Sequence, residues 1–262
     1  MTRWFGIWEA EMDRWIKHFV EPPKLILSWQ SPPGIADRAR WAVGEVVRGE
    51  EVTFRYFRGQ ELAAANGGRT EERLCDAGFA GYPAFRWTRF KAGHVFRDQV
   101  LEAFLRRVPS RRREDFGRYL ERFRLHRLSS FSPFGLLAAT GAELPNDGFC
   151  LVDPLDVQTA VQDVVLEIMG HHYYALEGRR LNVGAAVNLV PEPTLERDPN
   201  AVRVEQDGEL LGYVNRLQAK AVSAWLADRS IYAWGARVNG SKDRPRAFMF
   251  VEVRAHALAP AA

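Results

Sequence analysis

The sequence has little cysteine and no long apolar run. Its two cysteines, Cys75 and Cys150, have no Cys or His neighbours at metal-ligand spacing. This argues against a zinc ribbon and against a disulfide framework. No stretch of about 18 apolar residues occurs, which argues against a membrane-spanning helix. Glu9, Glu11 and Asp13 interrupt the first residues, which do not resemble a signal peptide, so we expect a cytoplasmic protein.

Recognisable catalytic motifs are missing as well. The sequence contains no Gly-x-Ser-x-Gly, no His-Glu-x-x-His, no phosphate loop and no helicase motor. His94 and Asp98 are spaced to share a metal on one helix face, but two ligands do not make a site. We therefore expect a non-enzymatic protein without cofactor or metal. A nuclease centre assembled from distant carboxylates stays open as an alternative.

What is present is the composition of a globular protein. Of 262 residues, 47% are hydrophobic, 12% aromatic and 26% charged, which is enough apolar material for a substantial core. At roughly 150 residues per domain, the length favours two domains. Turn formers accumulate from about Pro145 to Pro154, and this predicts a first domain over residues 1–160.

Positive charge is concentrated in one segment of the first domain. Between Arg86 and Arg127 there are thirteen Arg and Lys against five Asp and Glu, although the whole chain has a net charge of only +3. The spacing predicts an amphipathic basic helix whose arginines form a secondary basic surface. That surface could follow nucleic-acid phosphates or be an ordinary solvated face, and the charge alone does not decide. Its members are Arg111, Arg112, Arg113, Arg118 and Arg122.

The rest of the first domain has mixed α and β patterns. Apolar residues at three- and four-residue steps predict a helix from Trp4 to Phe19. Lys24–Trp29 and Val52–Phe57 are typical of strands. Helical patterns cover Ile35–Val47 and His94–Arg107. The sequence therefore predicts an α/β N-terminal domain.

After about residue 161 the pattern changes to short strands. Asp207-Gly208 and Asn239-Gly240 predict tight hairpin turns, and Asn215 to Ala227 predicts one main helix. The fold class is therefore α+β, with a small six-stranded β-barrel over residues 161–256 and a disordered tail over 257–262. The predicted strands are Val164–Ile168, Ala186–Val190, Ala201–Glu205, Leu210–Val214, Tyr232–Val238 and Phe248–Val253.

Four motifs in this second half, taken in order, resemble the HIRAN domain. They are His172-Tyr173-Tyr174, Leu189 to Pro193, Arg197 to Val204, and Asp207 to Val214. HIRAN domains stand at the front of certain DNA-repair helicases and also occur alone or in fusions in bacteria. The resemblance implies an OB-like or SH3-like barrel that binds the 3′ end of single-stranded DNA.

The resemblance also implies a set of nucleic-acid-binding residues. Asp198 would accept a hydrogen bond from a 3′ hydroxyl and repel a phosphate, although Asp before Pro-Asn is also a common turn former. Tyr173 and Tyr174 offer faces for stacking, unless one of them is core. Arg216 at a helix start would bind phosphate, or be ordinary surface. The full set is His172, Tyr173, Tyr174, Arg197, Asp198, Tyr213, Arg216, Arg244 and Arg246.

Three positions depart from the family pattern. His172 stands where the best-studied member has arginine, so its phosphate contact needs a protonated imidazole. Tyr213 stands in place of a histidine. Pro245, between Arg244 and Arg246, lies near the place of an aromatic, so that loop would contact phosphate. These departures make general single-strand binding a firmer expectation than end recognition.

The first domain resembles the small N-terminal subdomain of HipA-type toxin kinases. The likeness lies in Val52 to Tyr56 and in Leu136 to Pro145, and no kinase lobe follows. It implies docking on a protein partner such as a helicase, nuclease or toxin kinase. The expected context is repair, a replication fork, or a mobile-element or defence system. A protein-interaction module without end recognition is the alternative function.

Overall fold

The computed structural model describes residues 14–32, 34–35, 39–88, 93–144, 147–194 and 198–256. These residues form two compact units that are not consecutive in sequence. One unit contains Glu21–Tyr119 and Leu128–Pro154. The other combines the described parts of Met1–Val20 and Leu155–Ala262 with Leu120–Arg127. No helix in the described residues is long and apolar enough to cross a membrane.

The first unit is built on an antiparallel five-stranded sheet with strand order β4-β3-β2-β1-β5. Strand β1 is buried along most of its length, and β2 and β5 pair with its two edges. The strands are β1 (Lys24–Gln30), β2 (Arg40–Val47), β3 (Thr53–Tyr56), β4 (Val95–Phe96) and β5 (Phe149–Val152). In the part of the chain that the structure describes, the helices up to residue 140 are α1 (Gly59–Ala65), α2 (Glu71–Asp76), α3 (Val100–Leu105), α4 (Phe116–Glu121) and α5 (Pro133–Thr140).

Aromatic rings fill the core of this unit. Phe54 is fully buried and has four aromatic neighbours within 6 Å between ring centroids, among them Tyr56 at 4.7 Å and Phe85 at 5.0 Å. The buried Arg107 has its charge met by Asp147 and by the carbonyl oxygens of Ala142 and Phe149. A buried guanidinium needs such partners because its desolvation is costly.

The helix predicted over Ile35–Val47 is wrong for the part that the structure describes. Residues 40–47 form β2, which pairs with β1 and β3 and is buried on both faces. A strand covered on both faces has a nearly continuous apolar run, and such a run does not separate strand from helix by periodicity.

The other long helices predicted in this half are shorter than expected. The predicted helix His94–Arg107 is divided into β4 and the short α3. The predicted basic helix is limited to α4, so Arg111, Arg112 and Arg113 lie in turns before it. In the predicted Trp4–Phe19 helix, residues 4–13 lie outside the described residues and 14–19 are not helical.

All six strands predicted for the second half are confirmed. They are β6 (Gln162–Ile168), β7 (Asn188–Pro191), β8 (Val202–Gln206), β9 (Glu209–Tyr213), β10 (Arg229–Ser241) and β11 (Arg244–Ala255). They form two antiparallel sheets, β10-β11-β6 and β7-β8-β9. The described strands form no closed barrel: isolated bridges join Met169 to Tyr213 and Ala186 to Trp234.

Local turn and cap chemistry explains these elements. Asp207 and Gly208 both have positive φ, as a tight hairpin turn requires, and this confirms the predicted β8–β9 turn. The predicted turn at Asn239-Gly240 is wrong, because both residues pair within the β10–β11 ladder, which continues to Ser241. Helix α7 (Arg216–Asp228) confirms the predicted main helix, and the Asn215 side chain caps it by accepting from the Leu217 amide. A short helix, α6 (His171–Leu176), follows β6.

The two faces of the β10-β11-β6 sheet have different neighbours within this unit. The inner face packs against α7, where Trp225 is fully buried with Met249 and Val251. The outer face meets residues 14–18 and 120–127: the Arg14 guanidinium lies 4.1 Å from the Trp234 ring centre, and the Lys17 and His18 amides donate to the Asp163 carboxylate. This outer layer extends the unit beyond the domain predicted from residue 161.

Candidate nucleic-acid interface

Strand pairing brings several predicted site residues to one end of the β7-β8-β9 sheet. Tyr213 at the end of β9 pairs with Arg203 and bridges to Met169, two residues before α6. The β7–β8 loop leaves the same end, because Pro191 pairs with Val202. Helix α7 begins three residues after Tyr213. The β7–β8 loop, the end of β9 and the starts of α6 and α7 therefore lie at the same end of the sheet.

Gly212 makes this close approach possible. Its φ of +143° lies in the range that favours glycine, and an added Cβ would collide with the Met169 carbonyl oxygen and lie 2.8 Å from an Ile168 methyl carbon. The Met169 amide donates to the Tyr213 carbonyl oxygen at 2.7 Å, and the Tyr213 amide donates back at 3.0 Å. Strand β9 is thereby held against the start of α6.

The buried His171 side chain joins the start of α6 to β9. The residue is 2% exposed, and its Nδ1 lies 3.0 Å from the Leu211 carbonyl oxygen. Burial lowers the pKa of His171, so the neutral imidazole is the form that this position favours. His171 is a positioning residue that the sequence did not single out for this role.

The next three residues lie on α6 and not on a strand, so the expected alternation of sides is wrong here. Tyr173 is 64% exposed, with its ring centroid 3.8 Å from that of His172. Burial and the neighbouring His171 lower the pKa of His172, which keeps it neutral at pH 7. His172 is therefore placed as a ring beside Tyr173 and not as a phosphate-binding cation.

Tyr213 and Tyr174 form the inner side of the site. Burial, the facing Glu192 carboxylate and the Tyr174 phenol raise the pKa of Tyr213 to about 12. The Arg179 guanidinium lies 5.5 Å from the ring centre of Tyr174. Glu192 also lies 3.8 Å from Arg203, and it was not predicted as a site residue although it falls within the Leu189 to Pro193 motif. Nothing in its spacing distinguishes it from a loop carboxylate.

Asp198 lies half-buried in the β7–β8 loop and forms a turn. Its Oδ1 accepts from the Asn200 amide at 3.0 Å, and its carbonyl oxygen accepts from the Ala201 amide at 3.0 Å. The turn-forming alternative considered for this residue is therefore what the structure shows. The other carboxylate oxygen, Oδ2, has no hydrogen-bond partner among the described residues. Arg197 lies outside the described residues.

The predicted arginines differ in their surroundings. Arg216 is exposed in the first turn of the 13-residue helix α7. Arg244 is exposed at the start of β11. Arg246 donates from Nε and Nη2 to the Glu167 carboxylate, both at 2.7 Å, which neutralises its charge locally. A groove of about 740 Å³ between α6 and the β10–β11 tip adds Arg180 and Lys242.

The secondary basic surface is divided between the two units. Arg111, Arg112, Arg113 and Arg118 belong to the first unit, whereas Arg122 belongs to the second. Arg113 is bound to Asp115 by two hydrogen bonds, and Arg111 donates to the Phe131 carbonyl oxygen. The five arginines therefore do not form one helical stripe, because the helix that was to carry them has six residues.

Comparison with known proteins finds a family match over the region that contains this site. Residues 161–255 match the family model of the HIRAN domain. Similar solved structures include the HIRAN domain of human HLTF, with a TM-score of 0.30 and 18% identity, covering 35% of this chain and 74% of that one. A protein from Lactobacillus plantarum has a TM-score of 0.29 and 22% identity, covering 36% and 96%. No curated protein matches the chain.

The family match confirms the HIRAN resemblance of the second half. A HIRAN domain suggests nucleic-acid binding, generally of DNA. The segments with the HipA-like pattern, residues 52–56 and 136–145, lie outside the matched region, and the comparisons do not show that resemblance.

Proposed function

We propose that this protein binds single-stranded DNA at its 3′ end, without catalysis, through the site at the end of the β7-β8-β9 sheet. The observation that carries the proposal is the convergence of an exposed ring, a carboxylate with one oxygen available and a helix start within the segment that matches the HIRAN family. These are the groups that a terminal nucleotide needs: a flat face for base stacking, an acceptor for the hydrogen bond of the 3′ hydroxyl, and a hydrogen-bond donor for a phosphate.

Each group has a defined task in the proposed complex. Tyr173 stacks on a base, which is sequence-independent because every base has a flat face. Asp198 Oδ2 accepts from the 3′ hydroxyl, and its charge repels a 3′ phosphate. The Arg216 guanidinium binds a backbone phosphate, and the dipole of α7 favours the negative charge there.

A fluorescence anisotropy titration tests the proposal directly. The probes are three labelled strands of one sequence that end in a 3′ hydroxyl, end in a 3′ phosphate, or are closed into a circle. We expect the 3′-hydroxyl strand to bind most tightly. Equal affinity for all three strands would leave general single-strand binding and remove end recognition.

The wider context forms part of the proposal. We propose a cytoplasmic protein acting in repair, at replication forks or in a defence system, with the N-terminal unit docking on a protein partner. We also propose that the two sheets of the second unit form an OB-like fold, and that Arg111, Arg112 and Arg113 contact phosphates. Pull-down with the full-length protein, with and without DNA, tests whether a helicase or kinase partner exists.

A further inference from the structure

A guanidinium is packed between aromatic rings on the outer face of the β10-β11-β6 sheet. The Arg237 guanidinium carbon lies 4.0 Å from the ring centre of Phe248 and 5.1 Å from that of Phe123. Its Nε and Nη1 are buried and have no hydrogen-bond partner among the described residues. Burying donor groups without hydrogen-bond partners is costly, so this placement needs an explanation beyond packing.

Other cations surround Arg237. Arg124 donates from Nη2 to the Ala236 carbonyl oxygen at 3.1 Å, which holds it one residue from Arg237 along β10. Arg122 precedes Phe123, the residue whose ring covers Arg237. Burial and the nearby Arg246, Arg124 and Arg122 lower the pKa of Arg237 to about 10. Positive charge is therefore concentrated here against its own repulsion.

Little negative charge offsets this concentration within the unit. Glu167 is the carboxylate that acts on Arg237 in the described residues, and it is already bound by Arg246 through two hydrogen bonds. Burial and the neighbouring Arg14 lower the pKa of Arg124 as well. An external anion bound at the exposed side of this cluster would relieve the repulsion.

We propose that Arg122, Arg124 and Arg237 bind a backbone phosphate of nucleic acid outside the 3′-end site. The inference rests on the proposed function for the choice of a nucleic-acid phosphate as the anion. Glu167, which marks the cluster, precedes the start of α6 by four residues, or about 13 Å along an extended chain. A strand held by its 3′ end at α6 reaches the cluster with its next nucleotides. The cluster determines how many nucleotides of the strand are bound, and the end site determines the direction in which the strand lies on the protein.

The test uses the full-length protein and two single strands with the same 3′ hydroxyl end. One has four nucleotides, enough for the end site, and the other has twenty. Arg122→Gln removes an exposed charge from the cluster without touching the packed Arg237. Arg127→Gln is the matched control, because it removes an exposed arginine from the same Leu120–Arg127 segment.

We expect Arg122→Gln to weaken binding of the long strand about tenfold at low salt and to reduce the slope of log affinity against log salt by about one. The same variant should leave the short strand unaffected, and Arg127→Gln should change neither. Unchanged binding of the long strand by Arg122→Gln, or equal losses in both variants, would overturn the inference.

The result also separates this inference from the proposed function. If the long strand binds with the expected Arg122 dependence but without regard to its 3′ end, only the end site is lost. If the short strand binds through its end and Arg122→Gln has no effect on the long strand, only the cluster is lost. If neither strand binds, both are lost.

Discussion

At the scale of single residues, Asp198 combines turn formation with the proposed recognition of a hydroxyl. Asp198→Asn keeps the amide oxygen that caps Asn200 but removes the negative charge. We expect affinity for a 3′-hydroxyl strand to fall about tenfold, because a hydrogen bond to a charged acceptor contributes roughly 1.5 to 3 kcal/mol. The preference over a 3′-phosphate strand should shrink in the same anisotropy titration. An unchanged preference would show that the carboxylate does not read the end.

Tyr173 allows a second residue-scale prediction because its ring is already in solvent. Tyr173→Ala should weaken single-strand binding by about tenfold, since stacking contributes roughly 1 to 3 kcal/mol per base. The midpoint of thermal unfolding should not move, because the ring is 64% exposed. Tyr232→Ala is the matched control: Tyr232 is 53% exposed on β10 and lies outside the site. Equal losses in the two variants would contradict a specific stacking role.

Whether the role of a residue could be predicted from the sequence depended on how far apart in the sequence the interacting residues are. Asp198 forming a turn was readable from Asp-Pro-Asn, because that interaction is local. The pairing of Arg246 with Glu167 was not, because 79 residues separate the two side chains and strand register brings them together. The pocket role of Glu192 was hidden for the same reason.

At the scale of elements, the close approach of β9 to the start of α6 depends on a single glycine. Gly212→Ala should lower the free energy of unfolding by about 2 to 4 kcal/mol, since it combines an unfavourable φ with a backbone collision. Gly178→Ala is the control: its φ is also positive, but nothing lies within 4 Å of an added Cβ. It should cost only about 1 kcal/mol. Urea unfolding measures both, and equal costs would mean that the approach of β9 to Met169 is loose.

The elements also show why one half of the chain was easier to predict. In the second half, buried and exposed residues alternate along short strands, and turn residues such as Asp207-Gly208 separate the strands. The residue pattern and the turn signals therefore predict the same elements. In the first half, β2 is covered on both faces, and the described helices have six to eight residues, which is too few turns for a periodic signal. The local sequence pattern predicts secondary structure poorly wherever burial in the tertiary structure determines whether a segment is a helix or a strand.

At the scale of the whole molecule, the two adjacent histidines on α6 link stability to pH. The pKa of His171 is lowered from its ordinary 6.5, so the unfolded chain binds the proton first as the pH falls. Stability is therefore complete above about 6.5 and decreases as the pH falls from there through the lowered folded-state pKa.

A variant isolates this contribution from the carboxylates that also titrate in acid. His171→Asn keeps a donor near the Leu211 carbonyl oxygen but cannot be protonated. Urea unfolding between about pH 7.5 and about pH 5 should show a smaller loss of stability in this variant than in the unmodified protein. His256→Asn removes an exposed histidine and should keep the full loss. Parallel pH profiles for all three proteins would contradict the linkage.

The composition of the second unit leads to a prediction about truncation. Its β10-β11-β6 sheet buries Phe250 at 1% and Phe248 at 9% exposure, and these rings lie on the face that residues 14–18 and 120–127 meet. A fragment beginning at Leu155 contains the whole HIRAN match but leaves that face open to water. We expect the fragment to bind a hydrophobic dye and to unfold several degrees below the full-length chain, because exposed apolar surface costs about 25 cal/mol per Å².

Phe123→Ala in the full-length chain should also lower the unfolding midpoint, but by less than the truncation does, since it removes one contact of that layer. A fragment that unfolds at the full-length midpoint without dye binding would mean that the outer layer contributes nothing to the sheet, and that the arginines it carries are held there for another reason than folding.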